Sequence, residues 1–155
     1  MEMKMRIPGL VTVAMAAMAF ASPAAAKDHV VKMLNKGKAG MMVFEPSLVK
    51  VAPGDTVTFV AADKSHNVES IAGMLPAGAA PFKGKMSQNL TVKFAKPGFY
   101  GYKCMPHYGM GMVGGVVVGN VGANVEAAAK VSHPGKAKQV MAGLINQVGT
   151  RTASR

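Results

Sequence analysis

The sequence predicts an all-β fold, a β-sandwich followed by two C-terminal α-helices. Short segments rich in β-branched or alternating apolar residues are separated by proline and glycine turns, a pattern typical of sandwiches. After Asn120 the composition becomes alanine-rich and favours helices. Residues 27–155 have the usual size of one domain. We therefore expect a single domain with a helical tail that starts at about residue 123.

The predicted strands follow one another with clear turn signals between them. Pro53-Gly54-Asp55 and Pro97-Gly98 are turns of this kind. Glycine and proline interrupt residues 71–87 so often that we expect a long irregular loop there. The expected strands are 29–34, 41–44, 48–51, 56–62, 89–94, 99–104 and 113–118.

Two helices are expected in the tail. Residues 124–130 are strong helix formers, and Asn124 could cap their N-terminus. His133-Pro134 ends this segment. Residues 137–148 then carry an apolar stripe at helical spacing, which we expect to pack against the sandwich. The stripe consists of Val140, Met141, Leu144, Ile145 and Val148.

Residues 1–26 have the features of a secretory signal peptide. Lys4 and Arg6 precede an apolar run over residues 10–20, and Ala24-Ala25-Ala26 supplies a cleavage site. The apolar run is too short to span a bilayer. We therefore predict cleavage after Ala26 and an exported protein that is not inserted in a membrane.

The chain is strongly basic, with a formal net charge of +11. A charge of this size favours acidic partners. The basic residues are scattered and there is no tryptophan, so stacking on nucleic-acid bases has little support. We expect acidic protein partners and no nucleic-acid binding.

The segment Cys104–Met112 contains the single cysteine of the chain, together with His107 and a terminal methionine. A further histidine, His66, lies upstream after a predicted strand. Two imidazoles, one thiolate and one weakly bound thioether are the ligands of a blue-copper site. His66, Cys104, His107 and Met112 are therefore the candidate ligands of one type 1 copper ion that cycles between Cu(I) and Cu(II).

The ligand spacing fits a loop between two strands. Cys104 ends one predicted strand and Val113 begins the next, so His107 and Met112 share a short loop with it. Gly109 and Gly111 would let this loop turn tightly. Met110 is an alternative ligand, but Met112 is preferred because it adjoins the next strand. We also expect Asn67 to bond across to this loop and hold it in place.

Other functions explain the sequence less well. A zinc site would usually use four Cys or His ligands, or three ligands and a water. No Ser/His/Asp set or paired carboxylates accompany the cluster, so an enzyme is not expected. His29 and His133 are interpreted as surface residues. A copper-storage or delivery protein is the main alternative, and an interaction sandwich without metal would leave Cys104 unexplained.

Residues 102–112, together with Ser65-His66-Asn67, resemble the pseudoazurins, which are periplasmic cupredoxins. The resemblance covers essentially all of residues 27–155. It implies a Greek-key sandwich, a periplasmic location, and the copper ligands named above. It also implies that the edge of His107 is the electron port, within a ring of lysines. That ring would include Lys36, Lys64, Lys83, Lys85 and Lys103.

The same resemblance implies a function in denitrification or a related pathway. Pseudoazurins pass single electrons to copper-containing nitrite reductase or to related periplasmic oxidoreductases. A basic rim would speed encounters with such acidic partners without tight binding. We therefore expect a monomer that forms transient complexes with a periplasmic electron donor and an acceptor.

Overall fold

The computed structural model describes residues 25–120 and 124–152. Residues 1–24, which make up most of the predicted signal peptide, lie outside the described residues. Within the described ranges, eight strands alternate with turns. They are β1 (Asp28–Gly37), β2 (Gly40–Glu45), β3 (Leu48–Val51), β4 (Thr56–Val60), β5 (Glu69–Ser70), β6 (Leu90–Lys93), β7 (Gly98–Lys103) and β8 (Val113–Val118).

The strands form two four-stranded sheets, in the orders β2-β1-β4-β6 and β3-β8-β7-β5. The pairs β1/β4 and β3/β8 are parallel, and the other pairs are antiparallel. Every predicted strand is confirmed; β3 and β8 have the predicted bounds, and the bounds of the others differ by a few residues. The two-residue strand β5 was not predicted, because it is too short to show an alternating pattern.

Aromatic side chains fill the space between the sheets. The ring of Tyr102 on β7 meets the rings of Phe44 and Phe59 edge to face, at centroid distances of 4.9 and 5.0 Å. All three residues are almost completely buried. Such pairs add to the energy of area burial. They join the two sheets into one core that Cys104 and Met112 share.

Two helices follow the sandwich, α1 (Asn124–Ala129) and α2 (Ala137–Thr152). The buried face of α2 packs with Phe99 and Val117 in a second core cluster, which confirms the predicted contact with the sandwich. Its buried residues are Ala137, Met141, Leu144 and Val148. Strand β8 is covered on both faces and is therefore apolar throughout. Neither described helix has the length and apolar character needed to cross a membrane.

Asn124 has a different role from the one predicted. Its side-chain oxygen accepts the backbone N–H of Phe99 at 2.9 Å, and its amide nitrogen donates to the Phe99 carbonyl at 2.6 Å. The side chain is therefore bonded to β7 and ties the start of the tail to the sandwich.

The strand directions bring the candidate ligands to one end of the sandwich. The parallel strands β1 and β4 both end there, and the segment after β4 carries His66. Lys103 at the end of β7 pairs with Val113 at the start of β8. The loop between them, which we call the ligand loop (residues 104–112), therefore closes at the same end.

Candidate metal centre

Three ligand atoms converge at this end of the sandwich. The ligand atoms of His66, Cys104 and His107 lie within 4.8 Å of one another. Cys104 Sγ is 3.7 Å from His66 Nδ1 and 3.5 Å from His107 Nδ1, and the two Nδ1 atoms are 3.1 Å apart. Imidazole nitrogens that share one ion at about 2.0–2.1 Å are held roughly 3 to 4 Å apart. The three side chains therefore fit a single ion.

His66 is held by a hydrogen bond at Nε2, the ring nitrogen that does not face the other candidate ligands. Its Nε2 lies 2.8 Å from the amide oxygen Oδ1 of Asn35, near the end of β1. Donation from Nε2 fixes the proton there and leaves Nδ1 free for a metal. Sequence reasoning missed Asn35, because no local motif shows that this residue meets a histidine 31 positions away.

The ligand loop turns through a short 3₁₀ helix, Tyr108–Met110. The backbone N–H groups of Met110 and Met112 both donate to the His107 carbonyl, at 3.1 and 3.2 Å. Gly111 has a φ of 94°, in the region that favours glycine. The predicted need for glycine is thus confirmed at position 111. It is wrong for Gly109, which has no positive φ and whose added Cβ would contact nothing.

Met112 is fully buried, and Met110 is not. Met112 belongs to the same core cluster as Cys104, and its carbonyl accepts the Cys104 N–H at 3.0 Å. The side chain of Met110 is 51% exposed. The structure therefore favours Met112 over Met110 as a fourth ligand.

Asn67 bridges the two segments that carry ligands, as predicted. Its side-chain oxygen accepts the backbone N–H of Met105 at 2.8 Å, one residue after Cys104. Its amide nitrogen donates to the Gly84 carbonyl at 3.4 Å. The loop that contains His66 is thereby bonded to the ligand loop and to the irregular segment before β6.

Burial controls protonation in the metal-free centre. It raises the pKa of the Cys104 thiol, and it lowers the pKa of His66, with the neighbouring His107 adding to the effect. Both shifts favour the uncharged forms, the thiol of Cys104 and the neutral imidazole of His66. Binding of a cation must displace the thiol proton, because only the thiolate is a metal ligand.

The other two histidines, interpreted as surface residues, are half-buried, and each lies within hydrogen-bond distance of another side chain. His29 Nε2 lies 2.9 Å from the Asp55 carboxylate, and the His29 side chain is only 28% exposed. His133 Nδ1 lies 2.6 Å from the Tyr108 hydroxyl. Neither belongs to the group of converging ligand atoms.

The predicted lysine ring contains two kinds of residue. Lys36, Lys64, Lys83 and Lys85 are exposed, and among these four Lys83 pairs with Glu69, its Nζ lying 3.7 Å from Oε2. Lys103 is only 24% exposed, and its Nζ lies 3.5 Å from Glu69 and 4.7 Å from the centre of the Tyr108 ring. Lys103 is therefore already paired within the protein.

Known proteins resemble this chain over most of its length. Residues 31–119 match the family model for copper binding proteins of the plastocyanin/azurin family. A pseudoazurin from Paracoccus pantotrophus is 48% identical over 139 residues, which cover 90% of this chain and 96% of that protein. The chain belongs to the pseudoazurins.

Solved pseudoazurin structures agree with the fold. The structure from Methylobacterium extorquens AM1 is 50% identical, with a TM-score of 0.76, and covers 78% of this chain and 98% of its own. The native protein from Hyphomicrobium denitrificans is 47% identical, with a TM-score of 0.74 and the same coverage. They confirm the predicted cupredoxin sandwich with two C-terminal helices.

As a pseudoazurin, the protein is a type 1 copper electron carrier and not an enzyme.

Proposed function

We propose that His66 Nδ1, Cys104 Sγ and His107 Nδ1 would hold the copper ion, together with the thioether of Met112. The convergence of the first three atoms within 4.8 Å carries this assignment. The burial of Met112 in the same cluster supports the fourth ligand. When bound, copper supplies the one-electron change between Cu(I) and Cu(II).

The protein's own contacts would hold the ligands in nearly fixed positions when the charge of the ion changes. Asn35 fixes His66, and Asn67 fixes the ligand loop. Strand pairing at Lys103 and Val113 holds both ends of that loop. A frame of this kind suits rapid electron transfer, because little rearrangement accompanies each change of oxidation state.

The electron port in this proposal is the edge of His107. His107 is partly exposed, whereas His66 and Cys104 are fully buried. Met105 and Met110, on the same loop, are 60% and 51% exposed and provide an apolar contact surface. Such a patch suits a small interface that dissociates after each transfer.

The proposed pathway is periplasmic. We propose that residues 1–26 direct export and are removed after Ala26, and that the protein acts as a monomer. Its acceptor would be a copper-containing nitrite reductase or a related oxidoreductase. The cleavage-site sequence and the net charge of +11 support this proposal.

Stopped-flow mixing tests the acceptor. The reduced protein is mixed with a copper-containing nitrite reductase, and reappearance of the blue colour is followed. We expect continued oxidation when nitrite is present, and at most stoichiometric oxidation of the carrier when nitrite is omitted. If nitrite makes no difference to the extent of oxidation, nitrite reductase is not the acceptor.

Cell fractionation tests the location. Expression of the full chain in a Gram-negative host should give a periplasmic protein whose N-terminal residue is Lys27. A cytoplasmic protein that retains residues 1–26 would contradict the proposed export.

The copper-storage alternative makes a different prediction. Exposed thioethers at Met41, Met86, Met105 and Met110 could hold Cu(I) weakly. Titration with Cu(I) distinguishes the two functions: a carrier binds one ion tightly, whereas a storage protein takes up several ions and releases them readily to a chelator.

A further inference from the structure

The C-terminal tail touches the ligand loop directly beside His107. Tyr108 follows His107 in the chain, and its hydroxyl lies 2.6 Å from His133 Nδ1. His133 lies between α1 and α2, 25 positions further along the chain. The N–H of Lys136, the residue before α2, donates to the Gly109 carbonyl at 3.0 Å. Two consecutive residues of the loop are therefore bonded to the tail.

The two segments meet with almost no space between them. Gly135 has a φ of 52°, and a Cβ atom at this position would lie 2.5 Å from the Gly109 carbonyl oxygen. A Cβ at Gly111 would lie 3.2 Å from side-chain atoms of Lys136 and Val140. Backbone packs on backbone here, so a movement of the tail must displace the loop.

The bonded residues lie between two of the proposed copper ligands. Tyr108 and Gly109 fall between His107 and Met112, and the backbone bonds of this turn link Met112 back to the His107 carbonyl. Any contact that fixes Tyr108 therefore also fixes the separation of His107 and Met112. The outer contacts of metal ligands commonly set metal affinity in this way.

The hydrogen bond of His133 affects the position of the ligand loop more than the stability of the folded protein. The Nε2 atom of His133 is buried and has no hydrogen-bond partner among the described residues. A buried polar atom without a partner destabilises the folded protein, which offsets the hydrogen bond between His133 Nδ1 and the Tyr108 hydroxyl. Removal of the ring nitrogens should therefore change the loop more clearly than it changes the stability of the protein.

We propose that His133 is a positioning residue for the copper centre, acting through the Tyr108 hydroxyl to hold the turn between His107 and Met112. The proposal rests on the copper-ligand assignment made above. It gives the helical tail a role at the metal centre in addition to its packing on β8.

A double-mutant cycle with His133→Phe and Tyr108→Phe tests this role. Each change removes one partner of the bond and keeps a ring of similar size. Three quantities are measured: amide exchange of Met110–Met112 in the copper-free protein, the ratio of the visible absorption bands of the Cu(II) protein, and the rate of copper loss to a chelator. We expect faster amide exchange, an altered band ratio and copper loss accelerated about tenfold in each single variant.

The double variant should change no further than either single variant, because both substitutions break the same bond. His133→Gln, which can still bond Tyr108, should restore most of the native behaviour. His29→Phe, a matched change at a histidine bonded elsewhere, should leave all three measurements unchanged. Additive effects in the double variant, or single variants that lower only the stability, would overturn the proposal. The amide-exchange measurement remains decisive even if the copper-ligand assignment fails.

Discussion

At the scale of single residues, two asparagines hold the metal centre in place. Asn35 accepts a hydrogen bond from His66, and Asn67 accepts the N–H of Met105, next to Cys104. The first bond meets a proposed ligand directly, and the second holds the residue that follows one. Contacts of this kind orient the ligands and tune the affinity for the metal.

Replacement of Asn35 by Leu should weaken copper binding. The change leaves the buried His66 Nε2–H without its acceptor, and the imidazole loses its fixed orientation. Loss of such a contact typically costs 10–100-fold in metal affinity. Competition with a copper chelator measures the effect. Asn89→Leu is the matched control, because Asn89 bonds only the exposed backbone of Ala61 in the described hydrogen-bond network; equal losses in both variants would contradict the role of Asn35.

Met112→Leu and Met110→Leu distinguish the two methionines of the ligand loop. Removal of the proposed thioether ligand would take a donor away from Cu(II) and leave an apolar contact, which favours Cu(I). Met112→Leu should therefore raise the reduction potential, whereas Met110→Leu should leave it close to the native value. Voltammetry measures the reduction potentials of the two variants and of the native protein. A larger shift for Met110→Leu would reverse the ligand assignment.

The residue types and their spacing were enough to predict the site, but not the contacts that support it. Cys104, His107 and Met112 share one loop, and a cysteine with two histidines has few alternative uses. Asn67 could be predicted because it adjoins His66. Asn35 and the Tyr108–His133 pair could not, since each contact joins segments more than 20 positions apart and no sequence motif marks them.

At the scale of elements, strand and helix periodicity predicted most of the structure. Strands β3 and β8 have the predicted bounds, and α2 has the predicted buried stripe. Two features depend on tertiary contacts and were therefore not predicted. The strand β5 exists only because Glu69 and Ser70 pair with the end of β7, and Asn124 bonds Phe99 because α1 lies against that strand.

The start of β1 is fastened to the turn before β4 by one carboxylate. Asp55 accepts the N–H groups of Lys27 and Ala52 and lies 2.9 Å from His29 Nε2. The bond from the Lys27 N–H, followed by that of His29, lowers the pKa of Asp55 from 3.8 to about 2. The folded protein therefore holds the ionised carboxylate more strongly than the unfolded chain does.

This shift predicts the pH range of acid destabilisation. Above about pH 5, Asp55 is ionised in both states and its full contribution to stability is present. As the pH falls from about 5 to 2, the unfolded chain takes up a proton first and that contribution is lost. Urea unfolding of copper-free Asp55→Asn should show lower stability at neutral pH and a weaker pH dependence in this range. Glu126→Gln, at an exposed carboxylate of α1, should retain the native slope.

At the scale of the whole molecule, the site and its proposed contact surface share one end of the sandwich. Lys36 is adjacent to Asn35 and is exposed there. Lys93 is exposed on β6 opposite Thr56, the first residue of β4, and so lies at the far end. A charge near the port should affect encounters with acidic partners, and a charge at the far end should not.

Lys36→Glu and Lys93→Glu test this electrostatic steering. The Lys36 variant should slow electron transfer to an acidic acceptor at low salt, and the difference from the native protein should shrink as salt is added. The Lys93 variant should behave like the native protein at both salt concentrations. Lys103 is a poorer choice, because glutamate at this position would face Glu69. Equal effects of the two substitutions would exclude steering at this end of the molecule.

Optical and EPR spectra of the Cu(II)-loaded protein test the central claim most directly. A thiolate and two imidazoles around one copper ion should give an intense blue absorption and a narrow copper hyperfine splitting, both lost on reduction with one electron. Cys104→Ser should bind copper without the blue band, because serine supplies no sulfur. A native protein that binds Cu(II) but is colourless, or that keeps the blue band after Cys104→Ser, would contradict the proposed centre.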